Sequence, residues 1–227
     1  TTINVIKHSD SITNRNIPNN IVILAVKPAQ MALVLAEINH ALPKGCLLIS
    51  VAAGISLPWL SQHSNPKQAI IRSMPNIAIA VEKGATPLIA NNQVSEEQKR
   101  WAEELFQCTG LITWTNDETD IDRFTALSGS GPAYFFLFLE EMIKAATKLG
   151  LSENQAKTFT LQTAAGALKL ASDSKLEIAE LRKKVTSPAG TTAAALAILQ
   201  QEGFGDLLFK AMEAAYKRAE QLGSSPL

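Results

Sequence analysis

Short, uninterrupted apolar runs that alternate with helical stretches constrain the fold of this chain more than any other feature. Strands are predicted at residues 21–26, 46–51, 69–72, 86–90 and 110–114, with helices at 30–40, 57–63 and 95–107 between them. An apolar run without polar interruption is typical of a strand that is buried on both faces of a parallel sheet. This order of elements therefore predicts an α/β Rossmann-type domain, doubly wound around its sheet.

The second half of the chain has a different character, because no strand is predicted after residue 120. Helices are predicted at residues 130–149, 152–172, 176–184, 192–202 and 204–222. Ser152 and Ser187 are predicted to cap helix N-termini, and Gly150 to close a helix. We therefore predict a Rossmann-type domain over residues 1–118, followed by an all-α domain over residues 119–227.

The charge balance argues against several classes of partner. The chain has 21 basic and 21 acidic residues, so it offers no electrostatic footprint for nucleic acid or an anionic membrane. No apolar run is long enough to span a membrane, and residues 1–10 lack the apolar core of a signal peptide. The two cysteines and three scattered histidines predict a reducing, cytoplasmic setting and no metal site.

The segments that follow the first two predicted strands are candidate ligand sites, because α/β folds bind ligands at the carboxyl ends of their strands. Lys27 comes directly after a strand and can reach a phosphate or ribose of a cofactor. Ala52 and Ala53 are small enough to let a ribose or a flat ring approach the backbone. The alternatives are a solvated Lys27 before a strand-ending Pro28, and a plain tight turn after the second strand.

Two Gly- and Pro-containing segments precede predicted helices. Residues 127–133, LSGSGPA, would leave backbone N–H groups free at a helix start to bind an anion or a polar edge of a cofactor. The alternative is a helix cap that also turns the chain between domains.

The second segment, residues 185–192, reads VTSPAGTT. Three hydroxyls, on Ser187, Thr191 and Thr192, surround Gly190 before a helix, whereas ordinary capping needs only one hydroxyl. This arrangement predicts a site for a small carboxylate. No nucleophile elbow, Cys–His pair or phosphate-binding loop occurs, so hydride transfer with a cofactor fits better than hydrolysis.

Together these motifs resemble the pyrroline-5-carboxylate reductase family over essentially the whole chain. The motifs are ILAVKP at 23–28, VAAG at 51–54, RSMPN at 72–76, KGAT at 83–86, LSGSGPAY at 127–134 and LRKKVTSPAGTTAAAL at 181–196. The resemblance implies NADPH- or NADH-dependent reduction of 1-pyrroline-5-carboxylate to L-proline, the last step of proline biosynthesis. It also implies a homodimer, in which the helical domains of the two subunits interleave. Several such dimers could assemble further into a ring.

The resemblance also implies a role for individual residues. The residues that would contact the cofactor are Ala25, Val26, Lys27, Pro28, Ala52, Ala53, Asn76, Pro132 and Lys184. The residues that would bind the substrate are Glu118, Ser187, Gly190, Thr191 and Thr192. Thr192 is the candidate catalytic residue, because its hydroxyl, or a water bound to it, could protonate the ring nitrogen. Glu118 itself is, from its sequence context, an exposed acid.

The chain departs from the family pattern at its start. The family begins with a strand, a Gly-x-Gly-x-x-Gly-like loop and a helix, but no glycine precedes Gly45 here. Residues 1–6 are predicted to be the strand that follows this missing unit. The sequence is then either a piece of a longer active enzyme, which we favour, or a truncated protein that binds dinucleotide weakly. Asp10 would favour NADH over NADPH, although the alignment there leaves both open.

Two other functions are compatible with parts of the pattern. A β-hydroxyacid dehydrogenase shares the layout of a Rossmann domain followed by a helical domain. That family carries a Lys early in the helix after its Gly-Ser-Gly loop, whereas the first Lys of the corresponding helix here is Lys144. A helical dimerisation module that has lost its cofactor would explain the missing glycine-rich loop, but not the intact SPAGTT segment. A six-membered cyclic imine is also left open as the substrate.

Overall fold

The computed structural model describes residues 21–224 of the 227-residue chain. The strand predicted at residues 1–6 and the residues around Asp10 lie outside this range. The chain forms two compact units, one of residues up to Pro132 together with those from Met212 onward, and one of Ala133–Ala211. The domain boundary after residue 118 stays a prediction.

A five-stranded sheet organises the first unit, with its strands in chain order from one edge to the other. The strands are β1 (Ile21–Leu24), β2 (Leu47–Ser50), β3 (Ala69–Ser73), β4 (Gly84–Ala90) and β5 (Gly110–Trp114). Strands β1, β2 and β3 are parallel, β4 is antiparallel to β3, and β5 is parallel to β4. The Rossmann-type α/β prediction is confirmed, and so are all five predicted strands.

Helices cover both faces of this sheet. They are α1 (Met31–Ile38), α2 (Leu57–Gln62), α3 (Glu96–Gln107) and α4 (Glu118–Phe124). Because side chains of a strand alternate between faces, Leu48 of β2 packs with α1, α2 and α4, whereas Leu47 and Ile49 pack with α3. Helix α4 was not predicted from the sequence.

The expectation that the first strand is buried on both faces is wrong. Strand β1 forms an edge of the sheet among the described residues, and Ile23 is 44% exposed. The neighbouring strand β2 lies between β1 and β3, and all four of its residues are buried. Among the described residues β1 pairs only with β2, whereas β2 has a strand on each side.

The two cysteines differ in their environments. Cys46, beside β2, is buried, and this burial raises the pKa of its thiol to about 11. Cys108 follows the last residue of α3 and is exposed. Both are free thiols.

This difference predicts the reactivity of the two thiols. At pH 8 the native chain should react quickly with one equivalent of a disulfide reagent at Cys108, because only an accessible thiolate attacks. The unfolded chain should react with two equivalents, and the native Cys108→Ser variant with none, as followed by absorbance. Fast reaction of two native thiols would contradict the buried position of Cys46.

Five helices form the remainder of the chain. They are α5 (Gly131–Lys148), α6 (Glu153–Asp173), α7 (Ile178–Lys184), α8 (Thr191–Gln201) and α9 (Phe204–Ser224). Each agrees with its predicted range to within two residues at either end. Ser152 caps α6 in a reciprocal arrangement with Gln155, as predicted. None of the helices within the described range is long and apolar enough to cross a membrane.

The helical unit has almost no interior of its own. Among residues 133–211, only Ala156 and Thr160 are buried. Large apolar side chains are exposed on its helices, among them Phe135, Phe136, Phe159, Leu168 and Leu170. A unit of this size needs a buried core to be stable, and extensive exposed apolar surface marks a protein interface.

Candidate active site

The carboxyl ends of β1, β2 and β3 lie side by side. The N–H of Val51 donates to the carbonyl of Leu24 at 3.2 Å, and the hydroxyl of Ser73 donates to the carbonyl of Ser50 at 3.1 Å. The segments that follow these strands therefore start at one edge of the sheet. They contain seven of the predicted cofactor-binding residues: Ala25, Val26, Lys27, Pro28, Ala52, Ala53 and Asn76.

The turn after β2 requires glycine. Gly54 has a φ of +72°, and a Cβ built on it would lie 2.6 Å from the Cβ of Leu222 in the last turn of α9. The close approach of α9 therefore supports the turn that contains Ala52 and Ala53.

Gly54→Ala should destabilise the chain by about 3 kcal/mol, because the left-handed conformation and the steric overlap both act against it. Gly45→Ala is the matched control, since Gly45 has a φ of +77° but a Cβ there would meet nothing within 4 Å. The control should cost about 1 kcal/mol. Denaturant unfolding measures both variants, and equal losses would contradict the contact with Leu222.

Asn76 joins three parts of the first unit. Its Oδ1 accepts hydrogen bonds from the N–H groups of Ala78 and Ala85 at 3.2 and 3.3 Å, and its Nδ2 donates to the carbonyl of Ser128 at 2.9 Å. The amide therefore links the end of β3 to the start of β4 and to the segment that precedes α5.

The LSGSGPA segment was predicted to leave backbone N–H groups free at a helix start, but most of it is already helical. Helix α4 continues into a π-helical turn over Thr125–Gly129, and α5 begins at Gly131. The N–H of Ser130 donates to the carbonyl of Thr125 at 2.8 Å, so this group is not free for a ligand. Pro132 lies in the first turn of α5. Such π-turns often occur at functional sites, and the run of small residues gave no signal for one.

The SPAGTT segment connects α7 to α8. Gly190 is the N-cap of α8, and no side chain caps this helix. The expectation that Ser187 caps it is wrong, because the Ser187 hydroxyl lies against Gly190, where a Cβ would come within 2.3 Å of its Oγ. The first N–H groups of α8 therefore lack a side-chain acceptor, and such groups favour a bound anion.

Four of the predicted substrate-binding residues lie together at this helix start. Thr191 and Thr192 are the first two residues of α8, directly after Gly190, and Ser187 lies against Gly190. Lys184 is exposed at the end of α7. These residues belong to the Ala133–Ala211 unit, whereas Pro132 and the residues at the strand ends belong to the other unit.

Glu118 belongs to the other compact unit and is not the exposed acid that the sequence suggests. It begins α4, where its side chain is 28% exposed and its Oε1 accepts from the Leu57 N–H at 2.9 Å and from Arg72. Arg72 is 3% exposed and also pairs with Asp122 at 3.2 Å.

Comparison with known proteins identifies the family to which this chain is similar. Residues 118–222 match the family model for pyrroline-5-carboxylate reductase dimerisation. The chain is 45% identical to the pyrroline-5-carboxylate reductase of Pseudomonas aeruginosa, over 90% of this chain and 76% of that protein. It is 38% identical to the enzyme of Haemophilus influenzae, over 94% of this chain and 79% of that protein.

Two solved structures of pyrroline-5-carboxylate reductases also resemble this chain. A pyrroline-5-carboxylate reductase from Coxiella burnetii superimposes with a TM-score of 0.87 at 37% identity, covering 97% of this chain and 81% of that one. The pyrroline carboxylate reductase of Plasmodium falciparum with NADP bound also gives a TM-score of 0.87, at 31% identity, covering 95% and 80% of the two chains.

Proposed function

The chain belongs to the pyrroline-5-carboxylate reductase family, and we propose that the two groups of residues described above carry out the family's reaction in it. The reaction is the NADPH- or NADH-dependent reduction of 1-pyrroline-5-carboxylate to L-proline. The observation that carries the assignment of the substrate site is the start of α8, which has no side-chain cap and has three hydroxyl residues beside Gly190.

We propose that the cofactor binds at the carboxyl edge of the sheet. Its contacts there would be Ala25 to Pro28, Ala52, Ala53, Asn76 and Pro132, with Lys184 contributing from the end of α7. Small side chains and the backbone after β2 suit the close approach of a dinucleotide. When bound, NADPH or NADH supplies the hydride for the imine carbon. Because the Asn76 amide already bonds to three backbone groups, its proposed part includes holding the Ser128 carbonyl in place.

The substrate carboxylate is proposed to bind at the start of α8. The free N–H groups there, the helix dipole and the hydroxyls of Ser187 and Thr191 all favour a negative charge. Gly190 has no side chain, so the backbone can approach the carboxylate closely.

Thr192 is proposed to hydrogen-bond the ring nitrogen. Reduction adds a proton to that nitrogen, and the Thr192 hydroxyl or a water bound to it delivers the proton. Contact between Glu118 and the substrate stays a prediction, since Arg72 and the Leu57 N–H already share one of its carboxylate oxygens.

The match to a dimerisation domain and the exposed apolar surface of the helical unit indicate a homo-oligomer. We propose a homodimer as its basic form, and a ring of dimers stays a prediction. We also propose a cytoplasmic location, which the two free thiols support.

Gly190→Ala tests the proposed substrate site. A Cβ at this position would displace the Ser187 hydroxyl, so KM for pyrroline-5-carboxylate should rise about tenfold, while KM for NADPH should change little. Gly205→Ala is the control, because a Cβ at Gly205 would meet nothing within 4 Å. Steady-state kinetics at 340 nm measures both constants. An unchanged KM for the imine in a folded Gly190→Ala enzyme would remove the carboxylate from this helix start.

A further inference from the structure

Three side chains of the RSMPN motif contact one continuous segment of the chain. Arg72, Met74 and Asn76 are spaced two residues apart in an extended stretch, so their side chains lie on the same face. That face meets the segment of residues 118–129, which comprises α4 and the π-helical turn.

The three side chains meet this segment at both of its ends, in α4 and in the π-helical turn. Arg72 pairs with Glu118 and Asp122 in α4. Met74 packs against the buried cluster that includes Ile121 of α4, and its Cε is close enough to Gly129 that a Cβ built there would lie 3.3 Å from it. Asn76 donates to the Ser128 carbonyl, in the π-helical turn, at 2.9 Å.

The Arg72 contact is the most buried of the three. Arg72 is 3% exposed, and its two terminal nitrogens each meet a carboxylate, of Glu118 or of Asp122. The same Glu118 oxygen accepts the N–H of Leu57, the first residue of α2. Arg72 therefore connects β3, α4 and the start of α2, and α2 follows the turn that contains Ala52 and Ala53.

We propose that Arg72, Met74 and Asn76 form a docking track that fixes the π-helical turn at the carboxyl edge of the sheet, and that Arg72 is a positioning residue for the reduction. This inference depends on the proposed function, which puts Asn76 and Pro132 near the nicotinamide. Arg72 acts at a distance: by holding α4 and the start of α2, it sets the positions of Ser128 and Pro132 relative to Ala53. Small displacements of such groups change the rate of reaction more than the affinity for a substrate that binds elsewhere.

The test compares Arg72→Met and Arg72→Lys in the complete enzyme. Arg72→Met should lower kcat at least tenfold, while KM for pyrroline-5-carboxylate, which binds at α8, changes less than about twofold. Arg72→Lys should recover part of the loss, because a lysine keeps the positive charge but has a single terminal nitrogen, whereas the guanidinium places a separate nitrogen at each of the two carboxylates.

A second pair of variants tests the contact between Met74 and the π-helical turn without changing a charge. Gly129→Ala should lower kcat because its Cβ meets Met74, and adding Met74→Val, which shortens the opposing side chain, should restore it. Ile71→Val is the control for lost stability, since Ile71 is buried on the other face of the sheet with α3. This control should leave kcat unchanged.

The outcomes separate this proposal from the proposed function. If the unaltered enzyme does not reduce pyrroline-5-carboxylate, the proposed function fails. If it does, and folded Arg72→Met and Gly129→Ala both retain its kcat, the docking track is overturned. A loss of activity that only matches the unfolded fraction, as measured by circular dichroism, would also overturn it.

Discussion

Thr192→Val should lower kcat by a factor on the order of 100, because the variant keeps the shape of the side chain but removes the hydroxyl that hydrogen-bonds the ring nitrogen. The position supports this expectation, since Thr192 lies in the first turn of α8, where no side chain caps the helix. KM for NADPH should change little, because the cofactor is proposed to bind mainly at the strand ends. Stopped-flow measurement of NADPH oxidation would isolate the chemical step from product release.

Thr147→Val is the matched control for this prediction. Thr147 is an exposed residue of α5 whose hydroxyl donates only to the carbonyl of Ile143, and the structure gives it no part in the site. The same substitution there should leave kcat unchanged. A Thr192→Val enzyme with wild-type kcat would show that the proton reaches the nitrogen by another route.

Phe159→Glu should dissociate the homo-oligomer and abolish activity at low protein concentration. Phe159 is 70% exposed on α6, in a unit whose described residues bury only Ala156 and Thr160. Placing a carboxylate in an apolar interface without a partner costs several kcal/mol, so the dissociation constant should rise at least about 100-fold. Sedimentation velocity over a range of concentrations measures this change.

Lys157→Glu provides the control for the added charge. Lys157 is an exposed polar residue on the same helix, so its replacement changes the charge of α6 without adding a carboxylate to the apolar surface. It should leave the assembly intact. If Phe159→Glu sediments like the unaltered protein, the exposed apolar surface around α6 is not the subunit interface.

All five strands and every α-helix except α4 could be predicted from the sequence, because their signals are local. Apolar runs placed β1 and β2, and short β-like segments between helices placed the other three strands; the prediction for β5 at residues 110–114 has the observed bounds. Helical spacing and capping residues placed the five helices of the second half. These patterns depend on neighbours within a few residues, which the sequence shows directly.

Features that depend on distant partners could not be predicted in this way. The pairing of Arg72 with Glu118 joins residues 46 positions apart. A buried arginine at the end of an apolar run signals that a carboxylate partner exists, but it does not identify which one. The π-helical turn was not predicted for a similar reason, because Gly129 lies beside Met74, 55 positions earlier in the chain, and the local sequence does not show this neighbour.

The proposed substrate-binding segment, residues 187–192, contains one feature that the sequence predicted and one that it did not. Ser187, Gly190, Thr191 and Thr192 were predicted as a group because they are close in sequence, and the structure places them together at the start of α8. The capping role expected for Ser187 was wrong, since a local preference for serine at helix starts does not reveal that its hydroxyl lies against Gly190.

The most direct test of the account is NADPH oxidation at 340 nm by the native protein, with pyrroline-5-carboxylate as the substrate. The account predicts turnover that depends on the imine, yields L-proline and falls on the order of 100-fold in Thr192→Val. If the folded oligomer binds NADPH but does not consume it with this imine, that result would contradict the assignment of the reductase reaction to these residues.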